Sequence, residues 1–126
     1  MSAKSNKPCV LVVDDDKALL ELIQINLQSE YDVVLAEGGV NALSKLKTCT
    51  PDVVVLDLAM PEVDGFSVLG KIKLDPKTNH IPVVILTAME SSENQAKCVK
   101  LGVRRFLVKP FEFEELSNAI NSILSS

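Results

Sequence analysis

Five short apolar runs rich in β-branched residues recur along the chain, each followed by a segment with helical spacing. The runs are CVLVV at 9–13, YDVVLA at 31–36, DVVVL at 52–56, IPVVILT at 81–87 and RRFLV at 104–108. They are mostly continuous rather than alternating, the pattern of strands covered on both faces, as in a parallel sheet. Between them, Leu19, Leu20, Ile23 and Leu27 mark a first helix, and Val40, Leu43 and Leu46 a second. Phe66, Leu69 and Ile72 mark a third, entered through Gly65. A fourth, about Glu93 to Lys100, offers only Ala96 and Val99, with Cys98 nearby, so it predicts a weakly anchored helix that is cheap to move. The last has the clearest face, formed by Leu116, Ala119, Ile120, Ile123 and Leu124. Strand and helix repeated five times predict an α/β fold: a single doubly wound, five-stranded parallel sheet with right-handed crossovers.

Composition narrows the function classes. With 126 residues, 47% of them hydrophobic, the chain can bury a core without disulfides. A net charge of −4 argues against a grip on nucleic acid, which needs clustered Lys and Arg. Cys9, Cys49 and Cys98 are odd in number, well separated and without metal-ligand spacing, and read as reduced, buried thiols. The opening MSAKSNKP is polar, and the apolar run after it is too short for a signal-peptide core. No stretch is long enough to span a bilayer. These features predict a cytoplasmic chain of one domain, with a flexible N-terminus over 1–6 and no second domain.

In such sheets polar sites gather beyond the carboxyl ends of the strands. Asp14 and Asp15 end the first predicted strand, Asp57 the third, Thr87 the fourth and Lys109 the fifth. Taken one at a time, each has an ordinary explanation: a turn or capping Asp, a strand Thr, a surface Lys. Their arrival at one edge does not. Two carboxylates about 5 Å apart repel by roughly 3 kcal/mol at an effective dielectric near 20, so something must compensate. Three acids suit a hard divalent cation such as Mg²⁺, which combines one or two carboxylates with waters and phosphate oxygens. Asp57 is a candidate nucleophile able to form an acyl phosphate. The Lys109 ammonium could offset charge on a transferring phosphoryl group, and the Thr87 hydroxyl could donate to one of its oxygens. Asp16 reads as the cap of the first helix.

The ordered motifs VLVVDDD, VVVLDLAMPEVDGF, VVILTAM and FLVKPF resemble the receiver domain of two-component response regulators, the CheY-like superfamily. The resemblance covers about Lys7 to Leu124 and implies a flavodoxin-like (βα)5 fold with strand order 2-1-3-4-5. Carried over position by position, it implies that Asp57 is the phospho-acceptor and that Asp14 and Asp15 are the acid pair. Asp15 is then the more direct ligand of Mg²⁺, with Mn²⁺ as a substitute and the Ala59 carbonyl completing the protein's share of the shell. Thr87 and Lys109 match the family's hydroxyl and lysine, and Phe106 its aromatic switch. The Lys109–Pro110 bond is expected to be cis. Met60, Pro61, Asp64 and Gly65 match the MPxxDG turn, a structural element in which Gly65 permits a tight turn.

The implied function is a signalling switch rather than a conventional enzyme. A sensor histidine kinase, a histidine phosphotransfer protein or a small phosphodonor supplies the phosphoryl group. The surface of the fourth helix, fifth strand and fifth helix then changes to control a downstream protein, from a monomer or a weak phosphorylation-dependent dimer, and autodephosphorylation resets it. The family tunes that reset at the positions of Ala59 and Met89; neither side chain can hold a water by acid or amide chemistry, which predicts a slow reset. Arg104 and Arg105 depart from many relatives and read as a solvated strand edge, and His80 as an exposed loop residue. A haloacid dehalogenase-type hydrolase, which needs DxD and a cap, fits poorly. A phosphorylation-independent pseudo-receiver is the alternative, although such chains usually lack the acid pair or the lysine.

Overall fold

The computed structural model describes residues 7–60, 65–88, 92–103 and 105–125, apart from the side chains at 92 and 94. The predicted positions Pro61, Asp64, Met89 and Arg104, and the terminus at 1–6, lie outside them. The strands are β1 (Cys9–Asp14), β2 (Asp32–Glu37), β3 (Val53–Asp57), β4 (Val83–Thr87) and β5 (Arg105–Val108). The helices are α1 (Lys17–Leu27), α2 (Gly39–Thr48), α3 (Gly65–Leu74), α4 (Ser92–Lys100) and α5 (Phe113–Leu124). All strand pairs are parallel and the order is β2-β1-β3-β4-β5, as expected.

The continuous apolar runs have a direct structural cause. Successive strand side chains point to opposite faces, and here both faces are buried. Leu11, Val54, Leu56 and Ile85 face one core layer with Leu69 and Ile72 of α3. Val12, Val55, Val84 and Leu86 face the other, with Ile23 of α1 and Leu116 and Ile120 of α5. Tyr31, just before β2, joins that second layer and donates its hydroxyl to Asn121 of α5. At its start β1 is pinned to the segment entering β3: the Cys9 N–H donates to Asp52 Oδ2 at 2.7 Å, and the Asp52 N–H donates to the Cys9 carbonyl at 2.8 Å. Asp16 caps α1 as predicted, accepting from the Leu19 N–H at 3.2 Å.

Three expectations need correction. Val40 is not on the buried face of α2: it is 61% exposed, and Gly39 and Ala42 take its place, with Leu43 and Leu46 packing beside them. Among the described side chains of α4 the buried one is Cys98, while Ala96 and Val99 face solvent, so a small thiol supplies an anchor that the predicted stripe does not. Lys97 of α4 adds a contact, with its ammonium 5.8 Å from the centre of the Phe66 ring of α3. Cys9 and Cys49 are half-buried rather than buried. Burial pushes the Cys9 thiol up to about 11, with neighbouring Cys49 and two aspartates adding to the rise, so it stays protonated at neutral pH.

Gly65 is required for close approach. A Cβ there would stand 2.3 Å from the Asp57 carbonyl oxygen and 2.5 Å from the Leu58 Cα, both backbone atoms that cannot yield cheaply. The Gly65 N–H donates to the Leu58 carbonyl at 3.0 Å, so α3 starts pressed against the end of β3. Gly70, in the same helix, has open space where its Cβ would be. Gly65→Ala should therefore destabilise the chain by about 1–3 kcal/mol through overpacking. Gly70→Ala should stabilise it by about 0.5–1 kcal/mol through helix propensity alone. Urea unfolding of both variants checks the pair, and equal effects of the same sign would contradict this account.

Candidate functional site

The strand order brings four predicted residues to one edge in sequence across the sheet. Asp14 ends β1, Asp57 ends β3, Thr87 ends β4, and Lys109 follows β5. Because β1 and β3 pair in register with Val13 opposite Leu56, the two aspartates finish neighbouring central strands. Both are buried, Asp14 at 0% exposure and Asp57 at 2%, which is costly for carboxylates unless they are compensated.

Lys109 supplies the first compensation. Its Nζ lies 2.8 Å from Asp14 Oδ2 and 3.4 Å from Asp57 Oδ2. Backbone donors supply the second: the Asp16 N–H donates to Asp14 Oδ1 at 2.9 Å, and the Ala59 N–H to Asp57 Oδ1 at 3.1 Å. Each is a two-residue side-chain turn of the type Asp favours. The Ala59 N–H is thus a donor to the site, a role beyond the carbonyl and reset-tuning roles that the sequence pattern implies for this residue. Thr87 is buried at the same edge, and its carbonyl accepts from the Lys109 N–H at 2.7 Å, fixing where the lysine leaves β5. The Lys109–Pro110 peptide is cis. Phe106 is half-buried against the core layer beneath α3 and α4, and pairs in register with Ile85. Strand alternation puts Thr87 on the same sheet face as Ile85 and Phe106.

The electrostatics are under-compensated. Asp14, Asp15 and Asp57 each bring one carboxylate oxygen within 4.8 Å of the others. Among the described residues, the Lys109 ammonium stands against these three carboxylates, leaving an excess of two negative charges when all three are ionised. Burial pushes the Asp57 carboxyl above its ordinary value of 3.8, and the nearby Asp14 charge pushes it further, with Lys109 and the Ala59 N–H opposing. Burial alone would lower the Lys109 ammonium, but its hydrogen bond to Asp14 and the two carboxylate charges hold it above 10.5. Three oxygen donors with an excess of negative charge fit a hard divalent cation. Asp15, the exposed member, is the acid most open to such an ion; both Asp14 oxygens already accept hydrogen bonds.

Comparison with known proteins agrees with the fold. The sequence matches the response regulator receiver domain family over residues 10–121, and the chain belongs to that family. It is 36% identical over 118 residues to the DNA-binding dual master transcriptional regulator RpaA of Synechocystis, covering 93% of this chain and 49% of that protein. It is 38% identical over 115 residues to the response regulator PleD of Caulobacter vibrioides, covering 90% of this chain and 25% of that protein. The chain thus spans half or less of the length of these relatives. Among solved structures, the chemotaxis protein CheY4 of Vibrio cholerae superposes with a TM-score of 0.88 at 29% identity, covering 93% of this chain and 98% of that one. The Francisella response regulator 1452 receiver domain gives 0.84 at 36% identity, covering 94% and 98%. Receiver domains are signalling modules of two-component systems, and the five-stranded order seen here is theirs. Among the described residues, no helix is long and apolar enough to cross a membrane.

The raised Asp57 carboxyl has a consequence for stability. Between 3.8 and its raised folded value, the folded chain binds more protons than the unfolded one, so stability falls as pH rises through that window. The penalty is fully present above the folded value and vanishes below 3.8. In metal-free buffer, Asp57→Asn should therefore melt higher than the parent at neutral pH, with the gap closing on acidification. Millimolar Mg²⁺ should raise the parent's midpoint and leave the variant's nearly unchanged. Thermal melts at several pH values, with and without Mg²⁺, check this; a variant less stable at neutral pH would refute it.

Proposed function

We propose that this chain is a phosphorylation switch in which Asp57 accepts a phosphoryl group from a phosphohistidine of a sensor kinase or phosphotransfer protein, or from a small acyl phosphate. The observation that carries this reading is the Asp57 carboxylate itself. It is buried at the end of β3, 3.4 Å from the Lys109 ammonium, and within 4.8 Å of two further carboxylates. In the transfer, an Asp57 oxygen attacks phosphorus in line, the bond from phosphorus to the donor breaks, and the donor leaves with its electron pair. Asp14, Asp15, Asp57 and the Ala59 carbonyl would hold Mg²⁺, which when bound offsets negative charge on the phosphoryl oxygens. Lys109 balances part of the remaining charge, and Asp14 holds it beside Asp57.

The output is a shift in the α4–β5–α5 surface. A phosphoryl group on Asp57 offers acceptors to the Thr87 hydroxyl and the Lys109 ammonium. Thr87 and Phe106 share a sheet face, so movement of Thr87 toward the site frees space that the ring can fill. Moving a two-state equilibrium from 1:99 to 99:1 takes about 5.5 kcal/mol, and two charge-assisted hydrogen bonds at about 1.5–3 kcal/mol each are of that order. The slender anchoring of α4, through Cys98 and the Lys97–Phe66 contact, keeps the required work small. Exposed Val99, Leu101 and Val108 give this surface apolar area for a protein target.

Incubation with acetyl phosphate and Mg²⁺ should add one phosphoryl mass, detected by intact-protein mass spectrometry. Chelating the metal should reduce the modification more than tenfold, and Asp57→Asn should abolish it; modification that persists in that variant would sink the reading. Phosphoryl loss should be slow, because neither Ala59 nor Met89 can position a water. Ala59→Asn with Met89→Glu should shorten the acyl-phosphate half-life by about tenfold, a modest effect beside the roughly 10²–10⁴-fold of a fully positioned acid–base group. An unchanged half-life would refute the assignment of those two positions.

A further inference from the structure

At the end of the sheet opposite Asp57, the C-terminal turns of α2 and α3 and the segment leading into β4 enclose a cavity of about 840 Å³. Leu43, Leu46, Ile72 and Ile81 make its lining apolar. Lys47, Lys71 and Lys77, all exposed, surround it, and Leu74 stands at its margin with 83% of its surface in water. Its one acid, Asp75, is engaged at Oδ1 by the Lys77 N–H at 2.9 Å. Lysines near helix C-termini are favoured by the helix dipole, which accounts for Lys47 and Lys71. It does not account for Lys77, which lies beyond α3, for the exposed leucine, or for the apolar hollow between them. In a chain of net charge −4, this concentration of cations is local and runs against the overall charge.

We propose that this groove docks an acidic amphipathic helix of a partner protein, its apolar face on Leu43, Leu46 and Leu74 and its carboxylates toward Lys47, Lys71 and Lys77. Charge complementarity selects the partner's sign, and a hollow lying between two helix ends suits the helix-in-groove mode of recognition. The site is at the other end of the strands from the acceptor, so this binding does not depend on phosphorylation of Asp57.

The test titrates ¹⁵N-labelled, unphosphorylated chain with a Leu/Glu peptide patterned as an amphipathic helix, and separately with a Leu/Lys peptide of the same pattern and with decanoate. The Glu peptide should shift the amide signals of Leu46, Cys49, Ile72 and Thr78 and leave those of Asp14 and Asp57 in place. Charge reversal by Lys47→Glu, Lys71→Glu and Lys77→Glu together should weaken it about tenfold, the sum of three exposed pairs. Leu74→Ser, at a position that contributes nothing to the core, should weaken it several-fold and keeps the test valid if the triple variant misfolds. Equal binding of the Lys peptide, binding of decanoate alone, shifts confined to other surfaces, or no shift at millimolar peptide would each overturn the proposal. All of these outcomes are independent of whether Asp57 takes a phosphoryl group.

Discussion

The contact of Lys109 with Asp14 at 2.8 Å and with Asp57 at 3.4 Å is the interaction that makes the rest of this edge tolerable. Two carboxylates buried at adjacent strand ends would each carry a desolvation cost of several kcal/mol if left alone. The lysine reaches them from β5, two strands away from β3, and so passes the end of β4, where Thr87 sits. Its backbone is tied there as well, because the Lys109 N–H donates to the Thr87 carbonyl. The residue that neutralises the acids is thus fixed to the strand that carries the hydroxyl. Charge balance and strand geometry are joined at one position.

That balance is incomplete, and the incompleteness is concentrated in one group. Asp14 has a hydrogen bond to each oxygen, from Asp16 and from Lys109. Asp57 has the longer contact to the lysine and one backbone donor, and burial and the Asp14 charge push its carboxyl upward. A chain seeking only stability would replace it with a neutral residue. The packing around it is the opposite of loose: α3 begins against the backbone of Asp57 and Leu58, at a distance only glycine permits. The strain is electrostatic, held where the packing is tight.

Much of this was legible in the sequence, for physical reasons that differ between elements. The strands were readable because two buried faces force continuous β-branched runs, and the edge site because a parallel sheet collects its strand ends on one side. Boundaries shifted by a residue or two where other demands intervene: Pro82 has no N–H to give a ladder, and Tyr31 closes the turn after α1 by donating to the Leu27 carbonyl. The buried face of α2 was misread because Gly39 and Ala42 are too small to stand out beside Val40. The anchor of α4 was misread because a lone cysteine carries no periodic signal. Gly65 was recognised, but as a turn; a clash with residues seven and eight positions earlier depends on packing between elements.

On the reading of Asp57 as acceptor, the same contacts indicate which group moves. A phosphoryl group adds about −1.5 to −2 charge to an edge already in excess. Lys109 cannot follow it far, because leaving Asp14 would strand a fully buried carboxylate, a cost of about 3–5 kcal/mol for a broken buried pair. Thr87 carries no charge and incurs no such penalty. Its hydroxyl gives up one hydrogen bond for a stronger one to the charged acceptor. The neutral residue is therefore the mobile one and the lysine the pivot, and the displacement is delivered to the face of β4 that Phe106 and α4 cover.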